Sequence, residues 1–118
     1  MAEWEMAFTG KLSMPFMPSD GYVSRQNPPD FTWGLVDGAE AYELEVSIDE
    51  KFENIAYKVK APYNFHNFDR IFKTGIKYWW RVRYIKDGKP SEFSAPRRFR
   101  IDPRAYEFPV PDIDTLMK

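Results

Sequence analysis

The feature that most restricts the fold of this chain is a regular alternation of apolar and polar side chains in two stretches, residues 42–47 and 78–84. Their apolar members include Tyr42, Leu44 and Val46 in the first stretch and Tyr78, Trp80 and Val82 in the second. Because neighbouring side chains of a β-strand point to opposite faces of the sheet, a period of two predicts a strand with one buried face. We therefore expect two strands that place these apolar side chains in the core.

Short β-rich runs recur along the whole chain and are separated by turn residues such as Asp37-Gly38 and Asp87-Gly88. Asp-Gly between two alternating runs is a strong signal for a two-residue hairpin turn. Helical periodicity is almost absent, and evenly spaced short strands are typical of a sandwich or barrel. The predicted strands are 12–17, 31–33, 42–47, 55–60, 63–68, 78–84 and 97–101, which makes an all-β sandwich of about seven strands. Phe31, Trp33 and Phe99 complete the predicted core.

The net charge and the residue content argue against several kinds of function. The formal net charge is −1 and the pI is about 5.8, whereas nucleic-acid modules usually carry a clear basic excess. The chain has no cysteine and a single histidine, His66, so the usual structural zinc sites cannot be assembled. No apolar run approaches the length of a membrane span. We expect no nucleic-acid partner, no metal and no membrane span.

Residues arranged for catalysis are not evident either. A Ser-His-Asp triad would have to use His66, which lies in YNFHNF without a nucleophile-elbow pattern. The acidic pairs at Asp49-Glu50 and at Asp112 and Asp114 fall in a predicted loop and a predicted linker, which offer no buried setting for acid–base chemistry. No phosphate-binding glycine motif occurs. The chain is predicted to be non-catalytic and to need no cofactor.

The second alternating stretch carries Trp79, Arg81 and Arg83 on the face opposite to its apolar residues. Phe93 follows the second Asp-Gly turn and is expected beside them on the neighbouring strand. One interpretation is a surface ladder, in which guanidinium groups stack on aromatic rings and pair with the carboxylates of the first alternating stretch.

A second interpretation makes the same face a ligand site. Trp79 would stack on a sugar ring, while Arg81, Arg83, Arg98 and Arg100 would bind the acidic groups of a polysaccharide, because arginine suits carboxylate and sulfate geometry. A third interpretation is contact with a neighbouring domain. The candidate ligand-binding residues are Trp79, Arg81, Arg83 and Phe93.

Three segments together resemble a bacterial fibronectin type III-like domain, and the likeness covers roughly residues 12–101. They are PPDFTW, DGAEAYELEVSID and KYWWRVRYIKDGKPSEFS. The resemblance implies an immunoglobulin-like β-sandwich with Trp33 as the core tryptophan of the second strand and Tyr42 opening the third. It also implies that Tyr78 is the corner tyrosine, whose hydroxyl ties the loop before its strand. SEFS resembles the Ser-aromatic-Ser element that begins the last strand.

A narrower resemblance links NPPDFTW, YWWRVR and EFPVPDIDTLMK to the amino-terminal module of bacterial heparinase II/III-like polysaccharide lyases. It implies a lead-in at 1–11, the fibronectin type III-like domain at 12–101, and a proline-rich linker at 102–118 toward a downstream catalytic domain of the same polypeptide. The expected role is a monomeric accessory module of an exported enzyme, periplasmic or extracellular. The first residues lack a signal-peptide pattern, so we expect that an exported protein has had it removed.

Two other functions stay open at this point. One is a carbohydrate-binding module for acidic polysaccharides, and the other is a protein-binding domain of the adhesion type. A structural module predicts that aromatic side chains at one end or edge pack on a partner domain. The candidates are Trp4, Phe8, Phe16, Tyr106 and Phe108.

Overall fold

The computed structural model describes residues 15–67 and 71–107, which contain eight β-strands and no helix. The strands are β1 (Tyr22–Asn27), β2 (Phe31–Thr32), β3 (Ala41–Ser47), β4 (Ile55–Ala61), β5 (Phe65–His66), β6 (Tyr78–Lys86), β7 (Lys89–Pro90) and β8 (Arg97–Glu107).

The strands form two sheets. The larger sheet has the order β1-β8-β6-β3-β4, and β7 pairs with the end of β6. The smaller sheet pairs β2 with β5, and Met17 adds a single bridge to Thr32. The β1–β8 pair is parallel, whereas the other strand pairs are antiparallel. The predicted all-β architecture of two sheets is confirmed.

The hydrophobic core lies between these sheets and is rich in aromatic rings. The nine residues predicted to form it are all buried: Phe31, Trp33, Tyr42, Leu44, Val46, Tyr78, Trp80, Val82 and Phe99. Phe31 meets Trp80 and Phe99 edge-to-face, with ring centroids 5.5 and 5.6 Å apart, a geometry that the ring quadrupoles favour. The Trp80 indole N–H donates to the carbonyl of Pro18 at 2.8 Å, which satisfies the one polar atom of that ring.

Trp33 and Tyr42 pack together in the core but differ in how their polar atoms are satisfied. Their ring centroids are 5.6 Å apart. The Tyr42 hydroxyl accepts the backbone N–H of Val36 at 2.9 Å, and burial raises the pKa of this hydroxyl. The Trp33 indole N–H is buried and has no hydrogen-bond partner among the described residues. Trp33 is therefore held by packing, while Tyr42 also closes the turn before β3.

Two side chains fix the loop that leads into β6. The backbone N–H of Lys73 donates to the Tyr78 hydroxyl at 3.0 Å, which is the bond that the corner tyrosine of the resemblance implies. The buried Asn27 side chain accepts the N–H of Phe72 at 2.9 Å and donates to its carbonyl at 2.7 Å. Asn27 thus replaces a backbone partner for Phe72, a role that the sequence analysis did not identify.

The turn between β6 and β7 follows the prediction. Asp87 and Gly88 have φ values of +52° and +73°, and Ile85 pairs with Pro90 across the hairpin. A two-residue turn with positive φ at both positions matches the twist of antiparallel strands. Glycine fills the second position because it adopts this conformation without steric cost.

Several predicted strands differ from the observed ones. Residues 12–14 of the first predicted strand lie outside the described residues, and residues 15–17 contribute only the Met17 bridge. The strand predicted at 63–68 is reduced to Phe65–His66, and residues 68–70 are not described. β1 was not predicted, because its inward positions Ser24 and Asn27 are polar and give no apolar alternation.

β8 continues beyond residue 101, where the predicted linker begins. Ser24 pairs with Ile101 and Gln26 with Tyr106, so β8 inserts four residues against one of β1 and bulges there. Pro103 lies in the bulge, where a proline removes no regular ladder bond. The first six residues of the predicted linker therefore belong to the sheet, while residues 108–118 lie outside the described part.

Candidate functional site

The candidate residues Trp79, Arg81 and Arg83 lie on the outer face of β6 and are half-buried. Trp79, Arg81 and Arg83 pair across the sheet with Ser47, Glu45 and Glu43 of β3, respectively. Each arginine therefore lies opposite a glutamate, and cross-strand neighbours of opposite charge stabilise a sheet. Trp79 lies opposite the small, buried side chain of Ser47.

The planar guanidinium group of Arg81 is covered on both faces by aromatic rings and is bound at its edge by a carboxylate. Its guanidinium carbon lies 4.1 Å from the ring centroid of Phe52 and 3.9 Å from that of Phe93. Its Nε and Nη2 atoms lie 2.9 and 2.7 Å from Glu45 Oε1. Glu45 is itself only 7% exposed, so this ion pair is largely removed from water and is screened less than a surface pair.

Arg83 continues the same stack. Its guanidinium carbon lies 4.4 Å from the Phe93 centroid, and its Nε donates to Glu43 Oε1 at 2.9 Å. The order along the face is Phe52, Arg81, Phe93 and Arg83, and we call this set the arginine ladder. The candidate residues Arg81, Arg83 and Phe93 are thus brought together.

The position of Phe93 is set by the two serines of SEFS. Ser94 donates its N–H to the Val82 carbonyl and accepts the Val82 N–H on its hydroxyl, at 2.8 and 3.0 Å. Ser91 makes the same pair of bonds with Tyr84, also at 2.8 and 3.0 Å. Two hydroxyl groups therefore attach this segment to β6 without regular strand geometry, and Phe93 projects between the two arginines.

Phe52, at the other end of the ladder, was not among the candidate site residues. It lies in the loop after β3 with φ at +58°. Asp49 organises this loop by accepting the backbone N–H groups of Glu53 and Asn54 and the hydroxyl of Ser47. These bonds lower the pKa of Asp49 to about 2. The available sequence signal was an aromatic residue following an acidic turn, which does not reveal its partner across the sheet.

In this geometry the ladder residues bind one another and leave little of the Arg81 guanidinium free. Both faces of the Arg81 guanidinium are covered by rings, and its edge is taken by a carboxylate. A cation–π contact contributes about 0.5–1 kcal/mol when exposed and about 2 kcal/mol when desolvated. A ligand that displaced Phe52 or Phe93 would forfeit these contacts, so the ladder stabilises the sheet rather than presenting open binding groups.

Trp79 is separate from the ladder. It pairs with Arg98 of β8 across the sheet, and Lys77 Nζ lies 5.9 Å from its ring centroid. Arg98 donates from Nε and Nη2 to the two carboxylate oxygens of Asp20, both at 3.1 Å. These hydrogen bonds lower the pKa of Asp20 and raise that of Arg98. The structure therefore splits the four candidate residues into the ladder and a second cluster around Trp79.

The single histidine lies on the smaller sheet. His66 Nε2 is 2.6 Å from the Tyr57 hydroxyl, and the two rings stack with centroids 5.9 Å apart. Between residues 15 and 67 and between 71 and 107, no group of three or more His, Cys, Asp or Glu side chains is placed to hold a metal ion. In the same two ranges no helix is long and apolar enough to cross a membrane.

Comparison with known proteins gives a likeness that bears on the fold. No family model and no curated protein matches the chain. Among solved structures, the chain is similar to an Fn3-like protein from Clostridium thermocellum, with a TM-score of 0.51 and 21% sequence identity. The match covers 69% of this chain and 83% of the other. Together with the two all-β sheets, this likeness shows that the chain has a fibronectin type III-like β-sandwich fold.

Proposed function

We propose that this chain is a non-catalytic structural module of an exported polysaccharide-degrading enzyme of the heparinase II/III-like lyase type. The observation that carries the proposal is the closed arginine ladder. The most ligand-like residues of the sequence, Arg81, Arg83 and Phe93, are already bound to Glu45, Glu43 and one another. A face whose charged groups are internally paired is suited to a rigid support, and the resemblance of the sequence segments suggests which catalytic part it supports.

The end of the last described strand favours a fixed connection to a following domain. β8 stays paired with β1 as far as Glu107, which lies opposite Asn27. A chain held in a sheet up to its exit point transmits orientation better than a flexible linker does. Tyr106, beside this exit, is 63% exposed, and a large exposed aromatic side chain there is suited to packing on a partner domain.

The other aromatic candidates for such packing divide into two groups. Phe16 is already used within the module, because its ring stacks on Trp80 at 6.3 Å and the Arg97 guanidinium lies 4.2 Å from its centroid. Trp4, Phe8 and Phe108 lie outside the described residues. Tyr106 is therefore the described residue on which a test of the domain contact depends.

The test begins with the coding sequence that follows Lys118, which we expect to encode a lyase-type catalytic domain. The longer polypeptide is then compared with a version lacking residues 1–107 and with Tyr106→Ser. We expect eliminase activity per folded catalytic domain to persist, while the midpoint of thermal unfolding falls by several degrees in the truncated form and less in Tyr106→Ser. A Tyr63→Ser variant, which removes an exposed aromatic residue elsewhere, serves as the control. A following sequence without a polysaccharide-active domain would refute the proposal.

A further inference from the structure

A second group of cations lies on the same outer face, at the opposite end of β6 from the hairpin. Tyr78 pairs with Phe99 and Trp79 with Arg98, and the next position in this antiparallel register brings Lys77 opposite Arg100. Alternation places Lys77, Trp79, Arg98 and Arg100 on one face. We call these four residues the basic patch.

Two of these cations have no carboxylate partner in the described part of the chain. Arg98 is paired with Asp20. Among the described residues, neither Lys77 nor Arg100 has a carboxylate oxygen within 4 Å. Like charges directly opposite each other destabilise a sheet, and the Trp79 ring, 5.9 Å from Lys77 Nζ, offsets the repulsion only in part. A bound anion would remove the repulsion.

Two surface cavities meet at the patch. One, of about 280 Å³, is lined by Lys77, Arg98 and Arg100 together with Gly21, Tyr22 and Phe99. The other, of about 370 Å³, is lined by Lys77, Trp79 and Arg98 together with Asp20, Glu50 and Pro96. They share Lys77 and Arg98 and therefore adjoin each other, and we call the two cavities together the groove. Each volume lies near the lower end of the roughly 300–1,000 Å³ typical of small-molecule sites.

We propose that this groove binds an anionic sugar residue of an acidic polysaccharide, an activity that does not depend on the proposed parent enzyme. The carboxylate or sulfate lies between Lys77 and Arg100, which line one cavity and have no carboxylate partner among the described residues. The ring of the sugar packs on Trp79, whose half-buried indole lines the adjoining cavity. Aromatic rings and basic groups of this kind provide apolar contact and charge-assisted hydrogen bonds together.

The acidic side chains of the groove determine which of its two cavities can take an anionic sugar. Asp20 and Glu50 line only the cavity that contains Trp79, and Asp20 is held ionised by Arg98. A second anionic group placed there would be repelled, whereas neutral sugar hydroxyls can donate to these carboxylates. The site is therefore expected to prefer a sugar chain in which an acidic unit is followed by a neutral one.

The experiment is a ¹H–¹⁵N NMR titration of the 118-residue chain with three sets of oligosaccharides. The first carries a carboxylate on every second sugar (hyaluronan oligosaccharides), the second carries a sulfate on every second sugar (monosulfated keratan fragments), and the third is neutral (cello-oligosaccharides). We expect saturable shifts at the Trp79 indole and at Gly21 and Arg98–Arg100, and no such shifts at Arg81 or Arg83. Binding by the first set alone identifies the carboxylate as the anion, and binding by the second alone identifies the sulfate.

Two double variants separate the site from general charge attraction. Lys77→Gln with Arg100→Gln should weaken the binding at least about tenfold, because two charge-assisted hydrogen bonds are lost. Lys60→Gln with Lys89→Gln makes the same change in net charge at exposed positions away from the groove and should change the affinity little. The spectra themselves report whether each variant is folded.

Four results would overturn the proposal. The first is the absence of saturable shifts with either acidic set at millimolar concentration. The second is equal binding of the neutral set. The third is a set of shifts centred on Tyr63 and Phe65, an exposed pair of stacked rings at β5 of the smaller sheet, with centroids 5.8 Å apart. Equal weakening by the two double variants would likewise show that only net charge matters.

Discussion

The outer face of the larger sheet contains two groups of cations that look alike in the sequence and differ in the structure. In the arginine ladder, Arg81 and Arg83 each have a glutamate opposite them and an aromatic ring against them. In the basic patch, Lys77 and Arg100 face each other, and neither has a carboxylate within 4 Å in the described residues. The comparison shows that the sequence around a basic residue does not tell whether its charge is paired. The residues on the neighbouring strand decide that.

The largest predicted effect is the difference in stability lost when a tryptophan is removed from the inner or the outer face of β6. Trp80→Ala should lower the free energy of unfolding by about 3–5 kcal/mol, because it leaves a cavity in the core and a buried Pro18 carbonyl without its donor. Trp79→Ala, its neighbour on the outer face, should cost about 1 kcal/mol or less. Urea denaturation of both variants measures the difference. Similar losses for the two would contradict the assignment of inner and outer faces.

The next effect sharpens the contrast between the ladder and the patch. Arg81→Met should cost about 1–3 kcal/mol, because Glu45 is nearly buried and loses its close partner. Lys77→Met should cost nothing and should raise the free energy of unfolding by at most about 1 kcal/mol at low salt, since no carboxylate depends on it in the described part of the chain and Arg100 loses a like-charge neighbour. A double-mutant cycle with Glu45→Gln, followed by urea denaturation, gives the coupling energy of the pair. A coupling near zero would mean that the ladder is held by ring contacts alone.

Acid should loosen both regions through one carboxylate in each. Asp49 braces the loop that carries Phe52, and hydrogen bonds lower its pKa to about 2. Asp20 binds Arg98, and its pKa is also lowered. A folded-state pKa below the unfolded value, about 3.9, means that each carboxylate stabilises the fold above pH 4. That stabilisation is lost as the pH falls toward 2.

Thermal unfolding between pH 5 and pH 2 measures this loss. Asp49→Asn and Asp20→Asn should each flatten the decline, because the substituted group no longer titrates. The Asp30→Asn variant, at an exposed position away from both regions, is the comparison. An unchanged slope in Asp49→Asn would show that its hydrogen bonds do not persist in solution.

The smallest effect has the opposite sign and belongs to the patch. Arg100→Gln should raise the free energy of unfolding by about 0.2–1 kcal/mol at low salt, since it removes a like-charge neighbour of Lys77. The gain should shrink as salt screens the repulsion. Urea denaturation at about 20 and 500 mM salt checks both statements. A loss of stability at low salt would show that Arg100 has a favourable partner in solution.

The sequence predicted most accurately the elements whose signals are local. The alternation around Trp80, the Asp87-Gly88 turn and the Tyr78 corner are each specified by residues close together in the chain, and each is present in the structure. β1 was not predicted because its buried positions, Ser24 and Asn27, are polar. The Ser24 hydroxyl donates to the Gln26 carbonyl within the strand, and the Asn27 side chain bonds to the distant Phe72. A polar side chain at an inward position interrupts the alternation of apolar and polar residues, which is the main sequence signal for a half-buried strand.

The candidate site shows the same division. The sequence placed Trp79, Arg81 and Arg83 on one outer face, which follows from the two-residue period alone. It did not separate Trp79 from the arginines. That separation depends on Phe52, which reaches Arg81 from a loop, and on Asp20, which reaches Arg98 across 78 residues of sequence.

What the sequence determined by itself is which side chains point inward and which point outward, because that choice is made by the geometry of each strand. What only the tertiary structure decided is which outward charges are paired. Arg81 and Glu45 are 36 residues apart, and Arg83 and Glu43 are 40 apart, so their contacts exist only after β3 and β6 align. Register between distant strands is set by the packing of the whole core, and it leaves Lys77 and Arg100 opposite each other.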